Sequence, residues 1–224
     1  MDIVFRIASE AALLVEFSSG KATEIKIETI QRIHRLVALL DHSPFDGIED
    51  LTPSYSSILI EFDPLRLNFA EVEAHVRFCL ESIGTIELAA PQQMEIPVFY
   101  GGEYGPDLPS CAERLGLSVS QLVEAHCEPN YSVAFFGFLP GFAYLHGWPP
   151  KYSLPRTDSP RPRVPAGSVA IAGAQCGIYP TDSPGGWRIL GRTPLKVIDT
   201  ARANFSLFSI GAQIRFYPSN PAAW

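Results

Sequence analysis

The sequence predicts an α+β protein of two domains, in which a sheet carries two helices on one face over residues 1–90 and a closed or nearly closed β barrel follows over residues 91–224. Three observations support this prediction. Apolar residues recur at helical spacing in two stretches of the first domain. After residue 90, short strands and turns alternate roughly every 8–12 residues. Residues 134–199 hold ten of the 20 prolines and nine of the 17 glycines, which disfavours helices there.

The first domain is expected to open with a hairpin and then to alternate strands and helices. Apolar residues from Ile27 to Leu40 recur three and four positions apart, which places them on one helix face. Asn68 is a candidate N-cap for the second helix. The predicted elements are strands at 3–7 and 13–17, a helix at 22–40, strands at 48–53 and 57–62, a helix from Asn68 to about Ser82, and a strand at 86–89.

The second domain is expected to hold two short helices and many short strands. Ser118 or Ser120 is expected to cap the second of these helices. The predicted elements are a strand at 95–100, a loop at 101–108, helices at 110–115 and 118–127, the short strands of residues 134–199, and two last strands around Gly211 within residues 205–217. We expect the rigid proline and glycine corners to hold open a small polar cavity.

Composition excludes several classes of protein. The formal net charge of −7 argues against non-specific nucleic-acid binding, which needs a basic surface. No apolar run approaches the roughly 18 residues of a membrane span, and the first residues lack the basic start of a signal peptide. The four cysteines show no CxxC spacing, which favours reduced thiols in a cytoplasmic protein.

Familiar catalytic motifs are missing from the sequence. It contains no phosphate-binding GxxxxGK[ST] loop, no GxGxxG after a strand, no GxSxG serine motif and no HExxH pair. The five histidines are too scattered to predict a metal site from their spacing, so no metal ligand is predicted.

The polar residues of the proline- and glycine-rich stretch are the candidate site. Arg156, Arg161 and Arg163 cluster there, and arginine can hold a carboxylate or phosphate through two parallel hydrogen bonds. The alternative is a solvated basic turn. Gln175 and Tyr179 have the chemistry to orient a polar ligand, or to satisfy backbone groups of their own loop.

Two further features have both a functional and a structural explanation. The turn from Ser183 to Trp187 contains paired glycines that allow a ligand to approach backbone N–H groups, or it is a turn closed by a packed tryptophan. His126 is either a general base or a histidine satisfied within the fold. Phe142 and the other aromatic residues near it fit a core better than a ligand contact.

Several segments taken together resemble a known family. These are GFLPGFAYL, PRPRVPAGSVAIAGAQCGIYP, SPGGW and LGRTPLKVID, with IPVFYGGEYGPDL before them. The chain resembles the family of the B subunit of 5-oxoprolinase, which includes KipI-type inhibitors of sensor histidine kinases and proteins called allophanate hydrolase subunit 1. The resemblance covers nearly the whole chain and is strongest from Glu95 onward.

The resemblance implies a cyclophilin-like barrel after a small α+β domain. It implies an enzyme component that works with a homologous C-type subunit, and with an A-type subunit, to open the lactam of 5-oxo-L-proline to L-glutamate. ATP, with or without Mg²⁺, would bind in a site shared with a partner protein. The alternatives within the family are an inhibitor of a sensor histidine kinase and a subunit of the allophanate hydrolase or urea carboxyltransferase type.

The resemblance also implies roles for individual residues. The catalytic candidates are His126, Arg163 and Gln175, with His126 and Tyr131 at the barrel entrance. Gly137 belongs with the residues of a rigid wall, and Arg156 and Arg163 would contact an anion. The substrate-binding candidates are Tyr131, Pro140, Gly141, Phe142, Arg156, Tyr179, Ser183, Gly185, Gly186, Trp187, Arg192 and Thr193.

Overall fold

A computed structural model describes residues 2–18, 25–84, 86, 88, 90–202 and 204–223. The chain divides into two compact units, Met1–Ala90 and Pro91–Trp224. Helices and strands of both units give a mixed α+β fold with a closed barrel, which confirms the predicted fold class. Within the described part of the chain, no helix has the length and apolar character that crossing a membrane requires.

The first unit is a four-stranded antiparallel sheet with two helices. Its elements are β1 (Asp2–Ser9), β2 (Ala12–Ser18), α1 (Ile27–His42), β3 (Ile48–Pro53), β4 (Ser57–Phe62) and α2 (Phe69–Glu81). The strands lie in the order β1-β2-β4-β3. Ile33 and Leu36 of α1 and Val72 and Val76 of α2 pack on the sheet in one apolar core, because helical spacing places them on the faces that point toward it.

The starts of both helices and the predicted last strand of this unit can be compared with the sequence prediction. Helix α1 begins at Ile27 rather than residue 22, and residues 22–24 lie outside the described residues. Asn68 caps α2 as predicted: its Oδ1 accepts from the backbone N–H groups of Ala70 and Glu71. Of the predicted strand at 86–89, residues 86 and 88 belong to no strand, and residues 87 and 89 lie outside the described residues.

The second unit is built around a closed seven-stranded barrel. Its first elements are β5 (Gln93–Tyr100), α3 (Leu108–Leu115), α4 (Val119–Cys127), β6 (Tyr131–Phe136), β7 (Ala143–His146), a 3-10 turn (Pro150–Tyr152) and β8 (Arg161–Val164). The later elements are β9 (Ser168–Ala172), β10 (Gln175–Ile178), β11 (Ser183–Gly185), β12 (Arg188–Arg192), β13 (Gln213–Pro218) and a 3-10 turn (Pro221–Ala223).

The strands close in the order β10-β7-β6-β13-β5-β12-β9, with β9 paired back to β10. Only the β13–β5 pair among these described strands is parallel. β8 and β11 form a separate antiparallel ribbon, which we call the β8–β11 ribbon. Ser118 caps α4, since its Oγ accepts from Gln121 N.

The prediction of two last strands around Gly211 is wrong. One strand, β13, forms after Gly211, and residues 205–212 contain only an isolated bridge at Ser206. Phe205 has φ 23° and Gly211 has φ 79°, and these left-handed conformations interrupt an extended strand. Ser206 Oγ also accepts from Phe208 N, which turns the chain locally.

The interior of the barrel is packed with apolar side chains, so the polar cavity expected from the proline and glycine corners does not lie there. In β9, Val169 and Ile171 point into this core, whereas Ala170 and Ala172 belong to a different apolar cluster on the other side of the strand. The interior residues include Ile96, Val98, Val133, Leu145, Val169, Ile171, Ile178, Leu190, Ile214 and Phe216. A candidate site must therefore lie on the outer side of the barrel wall or at its ends.

Candidate functional site

Three buried aromatic rings cover the outer side of the β9–β10–β12 wall. Phe142, Tyr179 and Trp187 pack with Val164, Ala170, Ala172 and Ile189, and we call this cluster the aromatic layer. The Phe142 ring meets the rings of Tyr179 and Trp187 edge-on, with centroids 5.2 and 5.5 Å apart. Such edge-to-face pairs fix the ring orientations as well as burying area. The layer brings together three of the predicted substrate-binding residues.

Glycines let the aromatic layer pack this closely. A Cβ atom at Gly177 would lie 2.8 Å from Phe142 Cζ, and one at Gly185 would lie 2.3 Å from the Tyr179 hydroxyl oxygen. At Gly185 the space beside the backbone is therefore taken by Tyr179. The backbone of Gly186 is more open, since the nearest atom to a Cβ there would be Thr157 Oγ1 at 3.6 Å.

Two other predicted residues border the layer. Gln175 lies opposite Ala172 in the β9–β10 pair, and opposed residues share a face, so Gln175 is on the layer side of the wall. Gly141 is buried with φ 81°, and a Cβ there would lie 2.1 Å from Ile198 Cγ2. Pro140 beside it is exposed. The wall predicted from Gly137 to Phe142 is thus a surface loop whose last residue, Phe142, enters the layer.

The three clustered arginines lie in different environments. Arg163 is largely exposed and pairs with Asp182, with an Nη2–Oδ2 distance of 2.6 Å. Arg161 pairs with Asp107, with an Nη2–Oδ1 distance of 2.5 Å. Arg156 is exposed and close enough to Tyr179 that its positive charge opposes the rise in the Tyr179 pKa that burial causes.

Arg156 is therefore the arginine best placed to offer its charge to a ligand at the layer. Tyr144 lies at the same edge: its ring centroid is 5.0 Å from that of Phe142. Burial raises the pKa of Tyr144, and Arg156 opposes that rise too. A half-buried phenol and an exposed guanidinium at the edge of an aromatic cluster suit a small, partly polar molecule.

His126 and Tyr131 are not at the barrel entrance, and this corrects their predicted position. Both are fully buried. His126 Nδ1 lies 2.7 Å from the Tyr100 hydroxyl oxygen, and Nε2 lies 3.4 Å from Cys176 Sγ. Burial lowers the pKa of His126 to about 3. The Tyr131 hydroxyl donates to the His126 carbonyl oxygen, so both residues stabilise the barrel interior instead of facing solvent.

The remaining predicted residues lie at one end of the layer, which we call its polar end. Ser168 and Arg192 lie opposite each other in the β9–β12 pair, and Ser183 lies opposite Val164 of the layer in the β8–β11 ribbon. Thr193 is buried beside them and its backbone N–H donates to the Gly167 carbonyl oxygen. Cross-strand partners share a face, so the side chains of Ser168, Arg192 and Ser183 are on the layer side.

Comparison with known proteins gives matches over most of the chain. Residues 3–208 match the model of the family described as carboxyltransferase domain, subdomain C and D. The chain belongs to this family. A protein named as the B subunit of 5-oxoprolinase, from Bacillus subtilis (strain 168), is 33% identical over 92% of this chain and 89% of its own length. Another of the same name, from Escherichia coli O157:H7, is 39% identical over 87% of this chain and 88% of its own. The family resemblance predicted from the motifs is confirmed.

Solved structures show the fold of the family more widely. The protein TTHA0988, known from a crystal structure, is 36% identical in sequence over 93% of this chain, with a TM-score of 0.79. This chain spans only 40% of the length of TTHA0988. The K. lactis urea amidolyase has a TM-score of 0.81 over 99% of this chain at 19% identity, and the match covers 15% of that protein. The second likeness is one of fold.

Sequence reasoning missed two aspartates of this carboxyltransferase-domain chain. Asp107 is almost buried and accepts from Ile189 N at 2.8 Å as well as from Arg161. Asp182 accepts from Ala166 N at 2.8 Å and from Arg163. Asp107 stands just before a helix and Asp182 beside Ser183, but neither position by itself indicates a partner far along the chain. Among the described residues, no group of three or more His, Cys, Asp or Glu is placed to hold a metal ion.

Proposed function

We propose that this chain is the B-type subunit of an ATP-dependent 5-oxoprolinase, which opens 5-oxo-L-proline to L-glutamate together with partner subunits. The observation that carries the proposal is the match to proteins named as the B subunit of 5-oxoprolinase, at 33% and 39% identity over about nine-tenths of this chain. The word subunit in those names supports a role inside a complex, with partners of the A and C types.

The reaction sets clear requirements. Opening the lactam breaks its C–N bond, adds the oxygen of water to the carbonyl carbon and leaves a proton on the released amine. Coupling to ATP consumes a second water and yields ADP and phosphate. The substrate is a small ring with one amide and one carboxylate. The edge of the aromatic layer supports binding of such a ring, because Tyr144 is half-buried there and the exposed Arg156 places a positive charge beside it.

We place most of the ATP site on a partner protein of the complex. Arg161 and Arg163 already pair with carboxylates of their own chain, so Arg156 is the clustered arginine for which the described residues show no ion pair. One clustered arginine without an ion pair supports a nucleotide site shared between chains. The four cysteines are free thiols, which supports the reducing environment of the cytoplasm.

Reconstitution tests the proposal. The purified chain is mixed with the A-type and C-type subunits from the same organism, and ATP-dependent release of glutamate from 5-oxo-L-proline is measured. We expect glutamate release only when all three chains and ATP are present. No release from three folded chains that form a complex would contradict the proposal. Slower autophosphorylation of a sensor histidine kinase on addition of this chain alone would favour the inhibitor alternative instead.

A further inference from the structure

Three buried polar atoms at the polar end of the aromatic layer have no hydrogen-bond partner. They are Ser168 Oγ, Ser183 Oγ and Arg192 Nε. Ser168 is 0% exposed and Ser183 is 7% exposed. A buried hydroxyl or guanidinium nitrogen without a partner is costly, and native proteins normally pair such groups. Three of them together therefore call for a partner from outside the chain.

The strand register places the three side chains on one side of the wall. Ser168 opposes Arg192 across β9 and β12, so the two point to the same face. Ser168 shares that face with Ala170, two positions along β9, and Ala170 is part of the aromatic layer. Ser183 opposes Val164, which also belongs to the layer. The hydroxyls and the guanidinium thus share the side that carries the aromatic layer.

Backbone hydrogen bonds hold these segments together. Tyr179 N donates to the Ser168 carbonyl oxygen at 2.9 Å, and Thr193 N donates to the Gly167 carbonyl oxygen at 2.9 Å. The Asp182 carboxylate, next to Ser183, accepts from Ala166 N. These contacts join the starts of β9 and β11 to the end of β12, so the orphaned groups are held in a fixed arrangement.

The chemistry of the three groups selects an anion. Arginine only donates hydrogen bonds, and each serine hydroxyl has one proton to donate. Two hydroxyls and a guanidinium match the oxygens of a carboxylate or a phosphate. The Arg192 guanidinium lies 5.4 Å from the centroid of the Tyr104 ring, which helps to orient it. The neighbouring Asp182 carboxylate is already paired with Arg163, so its charge is largely compensated.

We propose that Ser168, Ser183 and Arg192 form an oxyanion-binding subsite at the end of the aromatic layer. Both serines are buried, which suits contact with a single anionic group at the end of a small molecule. This subsite deepens the proposed function, because it assigns the substrate carboxylate to Arg192 and the two serines in place of Arg163. The same chemistry would accept a phosphate group, and the experiment below separates the two sources.

Direct binding tests the subsite without requiring turnover. The purified chain is titrated by calorimetry with 5-oxo-L-proline, with pyrrolidin-2-one, which is the same lactam without the carboxylate, and with inorganic phosphate. We expect 5-oxo-L-proline to bind and pyrrolidin-2-one to bind roughly tenfold more weakly or worse, because a hydrogen bond to a charged group is lost. Binding of phosphate but not of 5-oxo-L-proline would keep the oxyanion subsite and overturn its assignment to the substrate carboxylate.

Variants then locate the anion. Ser168→Ala, Ser183→Ala and Arg192→Lys should each weaken anion binding by roughly tenfold. Ser132→Ala is the matched control, since Ser132 is a buried serine on β6 in a different part of the barrel. It should leave anion binding unchanged. Equal binding in all four variants, or no binding of either anion to the folded wild-type chain, would overturn the proposal.

Thermal stability without ligand gives a second readout. Removing a buried hydroxyl that lacks a partner relieves a cost, so Ser168→Ala and Ser183→Ala should raise the melting temperature while they weaken anion binding. A hydroxyl with a purely structural role would instead lower the melting temperature when removed. A subsite that passes both tests in a chain that fails to release glutamate with its partners would stand, and only the proposed function would fall.

Discussion

The Nδ1 atom of His126 lies 2.7 Å from the Tyr100 hydroxyl oxygen, and the ring is packed between Tyr131 and Phe216 inside the barrel. The imidazole is fully buried, and burial lowers its pKa to about 3. His126 is therefore neutral in the folded protein at neutral pH. Its protonation is coupled to unfolding.

This coupling predicts loss of stability in acid. Between about pH 6.5 and 3 the unfolded chain binds a proton at this histidine and the folded chain does not. The free energy of unfolding should therefore fall as the pH falls, by up to about 1.4 kcal/mol per pH unit from this group. Urea denaturation of the wild type and of His126→Asn between about pH 7 and 5 measures the slope. The variant should have the shallower slope.

The exposed histidine on α1 is the control for this measurement. His42→Asn is the comparison variant, because it removes an exposed imidazole at the end of the helix and leaves the buried one in place. If His126→Asn and the wild type lose stability equally as the pH falls, the buried histidine is not responsible.

Gly141 is expected to tolerate no side chain. It has φ 81°, and a Cβ would lie 2.1 Å from Ile198 Cγ2. Gly141→Ala should lower the free energy of unfolding by about 2–4 kcal/mol, from backbone strain together with overpacking. Gly116→Ala is the matched control, since Gly116 has φ 66° but no atom within 4 Å of the place where a Cβ would lie. It should lose only about 1 kcal/mol, and equal losses in urea denaturation would show that the contact with Ile198 does not matter.

The two arginine–aspartate pairs should differ in their contribution to stability. Asp107 accepts from both Arg161 and Ile189 N and is nearly buried, so Asp107→Asn should cost about 2 kcal/mol. Asp182 is exposed and pairs with the largely exposed Arg163, so Asp182→Asn should cost clearly less than Asp107→Asn. Chemical denaturation of both variants compares them, and a larger loss in Asp182→Asn would contradict the assignment of Asp107 as the structural anchor.

Arg156 should matter more than Arg163 for catalysis. The positive charge of Arg156 opposes the rise that burial causes in the pKa values of Tyr144 and Tyr179 at the edge of the layer. Arg163 is instead paired with Asp182. In the reconstituted complex, Arg156→Gln should lower kcat/KM by roughly tenfold or more, the effect of losing a contact to a charged group. Arg163→Gln should have a smaller effect. A larger loss in Arg163→Gln would restore the role that the sequence motifs predicted for it.

The local elements of the fold were predictable because their signals are local. The Asn68 and Ser118 caps precede their helices directly, and the spacing of apolar residues defines the buried face of α1. The motifs from Glu95 onward were sufficient to predict the family. The failure at residues 205–212 arose because Phe205 adopts a left-handed conformation that residue type does not reveal.

By itself, the sequence determined the fold class, most of the helices and strands, and the family to which the chain belongs. Tertiary structure alone decided that His126 is core, that Arg161 and Arg163 already hold Asp107 and Asp182, and that the candidate site lies outside the packed barrel interior. The physical reason is that burial and pairing depend on segments far apart in the chain. Asp107 and Ile189 N meet across 82 positions, and no local pattern records such a contact.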